Sequence, residues 1–187
     1  AAGLALQADG SLKLDETVFK GLLTTNFSDV VNLFNTAGSS TNSQLGYWTS
    51  TGKTVPGTYA VNITAAATTP TVTGAGFSGT YTDDATADTL TISDSISGAS
   101  GSIALANGDT IDTIVTKLNS LFSNSKMSVT ASKSGNELVL TGSRYGSTST
   151  FTIAYTAGGA DGTAQLGLAA ATVAGTDVAG TIGGVAA

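Results

Sequence analysis

The chain has 187 residues with no histidine and no cysteine, and its 7 basic and 13 acidic side chains leave a formal net charge of -6. The side chains that most often carry acid–base, nucleophilic and transition-metal chemistry are therefore missing, and the negative balance repels phosphate backbones and anionic lipid surfaces, so a structural role with no nucleic-acid or membrane partner is expected. With 41% hydrophobic residues, 11% charged, 6% aromatic and 24 glycines, nearly twice the usual share of about 7%, the composition is that of a globular, turn-rich β protein.

Leu4 and Leu6 alternate with smaller residues, Asp9-Gly10 supplies a turn, and Leu12 and Leu14 alternate again, which predicts a short β-hairpin or extended arm. Asp15 stands as a helix N-cap before a stripe of Val18, Phe19, Leu22 and Leu23. Asn26 or Ser28 caps a second short helix carrying Phe27, Val30, Val31 and Phe34, which needs a partner to exist at so small a length. From Gly38 to Pro56, Ser, Thr, Gly and Asn surround the pair Tyr47-Trp48 without sustained periodicity, as in a linker whose aromatic pair packs on a neighbouring surface.

After Pro56 the period changes to two. Tyr59, Val61 and Ile63 begin it, and Leu90 and Ile92, then Met127, Val129 and Ala131, then Leu138 and Leu140, and finally Phe151, Ile153 and Tyr155 repeat it, predicting half-buried strands. Between them Asn107-Gly108 makes a turn, Asp109 or Thr110 caps, and Ile111, Ile114, Val115, Leu118, Leu121 and Phe122 fall on one helical face. Two glycine- and alanine-diluted segments, Ala65 to Asp84 and Ala157 to Ala187, contain β-prone pieces such as Thr71–Thr73 and Gly79–Thr82 and are expected to form a second small β subdomain.

The expected fold is α+β and mainly β: antiparallel sheets with one amphipathic helix packed on a sheet, plus a small N-terminal hairpin and two-helix module. The expected division is 1–37 for the hairpin and short helices, 38–56 for the linker and 57–187 for a β-rich domain, with 84–156 inserted within 57–83 plus 157–187. No apolar run reaches the ~20 residues a spanning helix needs and no basic-then-apolar leader opens the chain. The start at Ala1 and the Gly-Ala-rich end, Gly180 to Ala187, read as those of a piece excised from something longer. A fold without disulfides fits the cytoplasm and equally fits export routes that bypass oxidative folding.

Little in the chain offers chemistry. Asp83, Asp84, Asp88 and Asp94 form the densest acidic group, but without the alternation and closing glutamate of an EF-hand, and a solvated turn between strands accounts for them. Asp9-Gly10-Ser11 with Asp15 and Glu16 has a calcium-loop outline that fails at Lys13, where an acceptor is needed, and a hairpin turn followed by a cap explains every residue. Ser125-Lys126 and Lys133-Ser134 are sequence neighbours, which diverge on a strand and do not meet as nucleophile and base. Gly74, Gly76 and Gly79 match a dinucleotide fingerprint by spacing alone, with no βαβ unit around them. Tyr47-Trp48 reads as aromatic closure of the linker before it reads as a stacking platform. No catalytic residue, cofactor site or metal site is assigned.

Ala8 to Glu16, followed by Phe19, Leu22-Leu23, Asn26-Phe27 and Val30-Val31-Asn32-Leu33-Phe34, resembles a block of the bacterial flagellar hook-associated protein 2 family, the filament-capping proteins, of the form D-G-T-L-S-L-D-E, a helix, then N-x-x-x-V-x-x-L-F. Gly57 to Thr64 resembles that family's strand G-T-Y-x-V-x-V-x, and Asp109 to Asn119 resembles the helix before V-T-A-S, G-x-x-L-V-L-T-G and G-x-x-x-x-F-T-I, matched by Val129–Ser132, Gly135–Gly142 and Gly146–Ile153. Ala174 to Gly184 is similar to the flagellin hook motif, with Gly183 where that pattern has Asn. The order departs from the usual one, because the leucine-rich block comes first and a β module follows it.

The resemblance implies an extracellular protein exported through the flagellar channel and assembled as a ring at the filament tip, with flagellin and other copies of the cap protein as partners. It implies host or environmental surfaces as partners of the added β module, and no enzyme activity. Lacking long terminal helices, the chain alone is expected to be monomeric. An extracellular adhesin or surface-layer β domain is the alternative. A glycan-active enzyme is disfavoured by the absence of a suitable carboxylate pair.

Overall fold

In the computed structural model, which describes residues 3–27, 30–31, 38–77, 79–82, 88–156 and 163–187, the Asp9-Gly10 pair reverses the chain as expected. Gly10 takes the left-handed conformation (φ +84°) that the tight turn demands, and Asp9 Oδ1 accepts from Ser11 N at 2.9 Å and from its hydroxyl at 2.7 Å. The flanking strands β1 (Leu4–Leu6) and β2 (Leu12–Leu14) pair antiparallel with Leu4 opposite Leu14 and Leu6 opposite Leu12. Side chains two residues apart, and directly paired ones, share a face, so all four leucines project together. Asp15 caps helix α1 (Glu16–Thr25), its Oδ1 accepting from Thr17 N at 3.0 Å and Val18 N at 3.1 Å.

These elements belong to the first of two compact units, Ala1–Thr58 and Tyr59–Ala187. Among its described residues this unit buries only Val30. Of the second short helix expected over 27–34, Phe27, Val30 and Val31 are helical and the others lie outside the described residues. The aromatic pair departs from expectation: Tyr47 lays its ring against Gly38, while Trp48 is 94% exposed and packs on nothing.

The second unit is built from antiparallel strands and one long helix. Its four-stranded sheet has the order β10 (Ala171–Ala174), β9 (Thr150–Thr156), β5 (Asp88–Asp94), β6 (Ser100–Leu105). A three-stranded sheet orders β4 (Thr71–Thr73), β8 (Glu137–Gly142), β7 (Val129–Ser134), and another orders β12 (Val185–Ala186), β11 (Ala179–Ile182), β3 (Val61–Ala65). Strict alternation in β5 buries Leu90 and Ile92, with Phe151 and Ile153 of β9 and Leu138 and Leu140 of β8 meeting them in one core.

Helix α2 (Ile111–Ser125) closes that core with Ile114 and Leu118 fully buried, packing on β6 and β7 and so spanning two sheets. Thr110, not Asp109, is its N-cap, accepting from Thr113 N at 3.2 Å, and Lys126 ends it in the left-handed conformation (φ 55°). Gly101 of β6 gives the helix close approach, because a Cβ there would stand 2.6 Å from Leu121 Cδ1 and that side chain would have to shift. Each fully buried Leu or Ile contributes roughly 1.5–3 kcal/mol. The fold is thus α+β and mainly β, with one helix on antiparallel sheets.

Three expectations fail in detail. The alternation in β3 does not make it half-buried: Val61 is 42% and Ile63 50% exposed, and no residue of β3, β11 or β12 is buried, because nothing among the described residues covers the apolar face of this sheet. Gly79–Thr82 forms no strand, yet Tyr81 is fully buried as a strap beneath the start of α2. The pairings also cross the expected 84–156 limits: β4 hydrogen-bonds to β8, and β10 to β9, so both outer segments supply strands to the central sheets while β3 pairs with β11.

Candidate functional site

Among the described residues no three His, Cys, Asp or Glu side chains gather as a metal ion would require. Asp83 and Asp84 lie outside the described residues, and the other two members of the acidic cluster are not the solvated turn residues expected. Asp88 is 1% exposed, at the start of β5, and its carboxylate accepts the hydroxyl of Tyr81. Asp94 is 4% exposed, at the end of the same strand. Its Oδ1 accepts from Ile96 N at 3.0 Å, and its Oδ2 from Ser97 N at 3.3 Å, Ser97 Oγ at 2.7 Å and, across 34 residues of sequence, Ser128 N at 2.7 Å. Burial pushes this carboxyl up, but the bonds from Ser128 and Ser97, with that from Ile96, outweigh it and hold it below the usual carboxylate range. The group ties the β5–β6 turn to the start of β7.

The other candidates are also structural. Asp9 caps its own turn, and its hydrogen bonds from Ser11 hold its carboxyl low. Ser125 ends α2 and Lys126 caps it, so this pair sits on a helix terminus rather than a strand. Lys133 pairs with Asp112 at 2.5 Å. Gly74 lets the carbonyl of Leu166 press against the chain where a Cβ would stand. The Tyr155 hydroxyl is enclosed with no hydrogen-bond partner among the described residues, and burial pushes its phenol up to about 12.

One open groove of about 690 Å³ lies between β6 and α2, lined by Asp112, Thr113, Thr116 and Lys117 among others. Both its charges are committed, Lys117 to Asp109 and to the carbonyl of Ala104, and Asp112 to Lys133.

What the molecule does offer is surface. The hairpin face carries Leu4, Leu6, Leu12 and Leu14 at 38–74% exposure. The register of β3, β11 and β12 gathers Val61, Ile63, Ile182 and Val185 on one apolar face, all exposed. The outward face of the four-stranded sheet is different again: Ser100, Ser93, Thr152 and Thr172 form a row across all four strands, with Ser93–Ser100 and Thr152–Thr172 hydroxyl pairs at 2.8 and 2.9 Å. Sequence reading placed these leucines and alternating residues in elements but not at the surface, and no signal in the chain marks which amphipathic face lacks a cover.

No family model and no curated protein sequence matches the chain. The solved structures to which the chain is similar include two of the flagellar cap protein FliD from Escherichia coli. The D2-D3 domain structure is 19% identical with a TM-score of 0.49, covering 74% of this chain and 77% of that one. The D1-D2-D3 structure is 18% identical with a TM-score of 0.48, covering 73% of this chain, which spans less than half, 43%, of that solved chain.

Proposed function

We propose that the chain is a structural part of a flagellar filament cap, acting at the filament tip through contacts with flagellin and with other copies of the cap protein. In this reading 1–37 belongs to the cap-protein core, 38–56 is a linker and 57–187 is the outward β-rich domain. The protein is extracellular and performs no catalysis. The observation that carries the reading is the block from Ala8 to Glu16: its Asp9, Gly10, Leu12, Leu14, Asp15 and Glu16 stand where the capping family's D-G-T-L-S-L-D-E has the same residues, and its hairpin aligns Leu4, Leu6, Leu12 and Leu14 into an uncovered apolar face. Such a face is useful to a protein whose work is subunit contact. The chain alone is a monomer in solution, since the longest helix among the described residues is α2 and its apolar face is used in its own core.

The test is localisation in the flagellated bacterium that makes the protein. Gold-labelled antibody against this chain should mark filament ends, and Leu6→Glu with Leu12→Glu should release flagellin into the medium and shorten filaments. Label over the cell envelope with normal filaments would overturn the reading. That outcome would favour an adhesin or surface-layer domain, for which the uncharged hydroxyl row on the four-stranded sheet is the supporting feature.

A further inference from the structure

We infer that Asn107 is a modification site at which the chain converts itself to aspartate and isoaspartate, and that the backbone of Tyr81 controls the rate. Asn107-Gly108 is the chain's single Asn-Gly step. Glycine puts no side chain in the way of its own nitrogen, so this is the peptide bond at which an asparagine side chain is most readily attacked. The Gly108 nitrogen, having lost its proton, attacks Asn107 Cγ; the Cγ–Nδ2 bond breaks and ammonia leaves, giving a five-membered imide. Water then opens the imide at either carbonyl, yielding aspartate or isoaspartate. The balance is one water in and one ammonia out, and no enzyme is needed.

Asn107 is exposed and Gly108 has a left-handed backbone (φ +89°). Access is therefore not the control. The Gly108 N–H donates to the carbonyl of Tyr81 at 2.8 Å, and the Tyr81 N–H donates to the carbonyl of Asp109 at 2.7 Å. These two bonds hold the nucleophile's proton in place. Tyr81 is fully buried and its hydroxyl reaches the buried carboxylate of Asp88, so the strap cannot drift away from the turn without extracting a core side chain. The neighbouring carboxylate of Asp109 accepts from Ala106 N at 2.8 Å and from Lys117, and it is not a free base for the step.

Loss of the Gly108 proton requires the opening that amide hydrogen exchange requires, so both processes report the same event. The two products differ in consequence. Aspartate keeps the backbone and adds a negative charge near the N-terminus of α2, where the helix dipole tolerates it. Isoaspartate inserts a methylene into the main chain, which displaces Gly108 N and Asp109 O from Tyr81 and loosens the start of the helix.

The experiment is peptide mapping by mass spectrometry of the full chain held at mildly alkaline pH and 37 °C, folded and in urea. Conversion at Asn107 should dominate in urea and run about tenfold or more slower in the folded chain, because opening of a strapped turn is a minor population. Tyr81→Ala should bring the folded rate toward that in urea. Because this variant risks unfolding the unit, residue-resolved hydrogen exchange on the unaltered chain gives an independent reading, with the Gly108 amide protected. Equal rates in both solvents, or an unprotected Gly108 amide, would overturn the proposal. So would failure of Asn107 to lead in urea.

Discussion

Replacing Asp94 with alanine removes one carboxylate and leaves four donors without their acceptor: Ile96 N, Ser97 N, Ser97 Oγ and Ser128 N. Hydrogen bonds to a charged group are worth about 1.5–3 kcal/mol, and a buried donor left unpaired costs about 1–3 kcal/mol. Ile96 and Ser97 are exposed in the turn and recover part of the loss from water, whereas Ser128 N is half-buried and joins segments far apart in sequence. The sum for Asp94→Ala is therefore about 3 kcal/mol, most of it from the Ser128 bond. Asp94→Asn retains an acceptor on one side but turns an NH₂ toward one backbone donor, and costs about 1–2 kcal/mol.

Urea unfolding followed by far-ultraviolet circular dichroism reads these values, and thermal midpoints should fall by roughly 3–4 °C per kcal/mol for a unit of this size. The sign of the pH dependence follows from the depressed folded pKa of Asp94. Its contribution is present above the unfolded carboxylate value and is lost as pH falls through the lower folded value, so the wild-type advantage over Asp94→Asn should vanish in acid. A loss below about 1 kcal/mol for Asp94→Ala, or an advantage that persists undiminished in acid, would refute the assignment of Asp94 as the tie between turn and strand.

Leu118→Ala empties a fully buried position under α2 and should cost about 2–5 kcal/mol, measured as a shift in urea midpoint. Tyr155→Phe removes an enclosed hydroxyl that has no partner among the described residues and should leave stability unchanged or raised. The raised phenol of Tyr155, at about 12, gives stability present below the unfolded value near 10 and lost as pH climbs toward 12, so an ultraviolet titration should lose its last phenol step when Tyr155 is replaced by Phe. Gly101→Val drives a side chain into Leu121 and should lower the thermal midpoint far more than Gly46→Val, a glycine with open space around it. Asp15→Ala should cost about 1 kcal/mol of the stability of α1, seen as lost helical circular dichroism.

Much of the architecture was legible where one element contains its own signal. The stripe from Ile111 to Phe122 needs only helical spacing to be read, and the alternation of Leu90 and Ile92 only the two-residue period. Burial was legible only where a partner exists to supply it. Val61 and Ile63 alternate just as Leu90 and Ile92 do, yet their face is bare, because alternation says which side chains share a face and not what lies opposite. Asp94 was misread for a similar reason: its neighbours in sequence spell a turn, and the decisive donor, Ser128 N, is 34 residues away. Tyr81 sits among residues with strand propensity but forms a strap, since its two backbone bonds go to a turn rather than to a strand. The functional proposal came only through resemblance, because a contact surface needs no particular chemistry that a sequence pattern would mark.

The pairing of Val61 with Ile182 has a consequence for how such a unit spreads among proteins. Directly opposed residues of an antiparallel ladder have Cα atoms about 4.5–5.5 Å apart. Everything between them is therefore a closed excursion that leaves and returns at one point. A host chain could gain or shed that whole excursion at a single surface loop, with the loop's own ends barely displaced and the host core untouched.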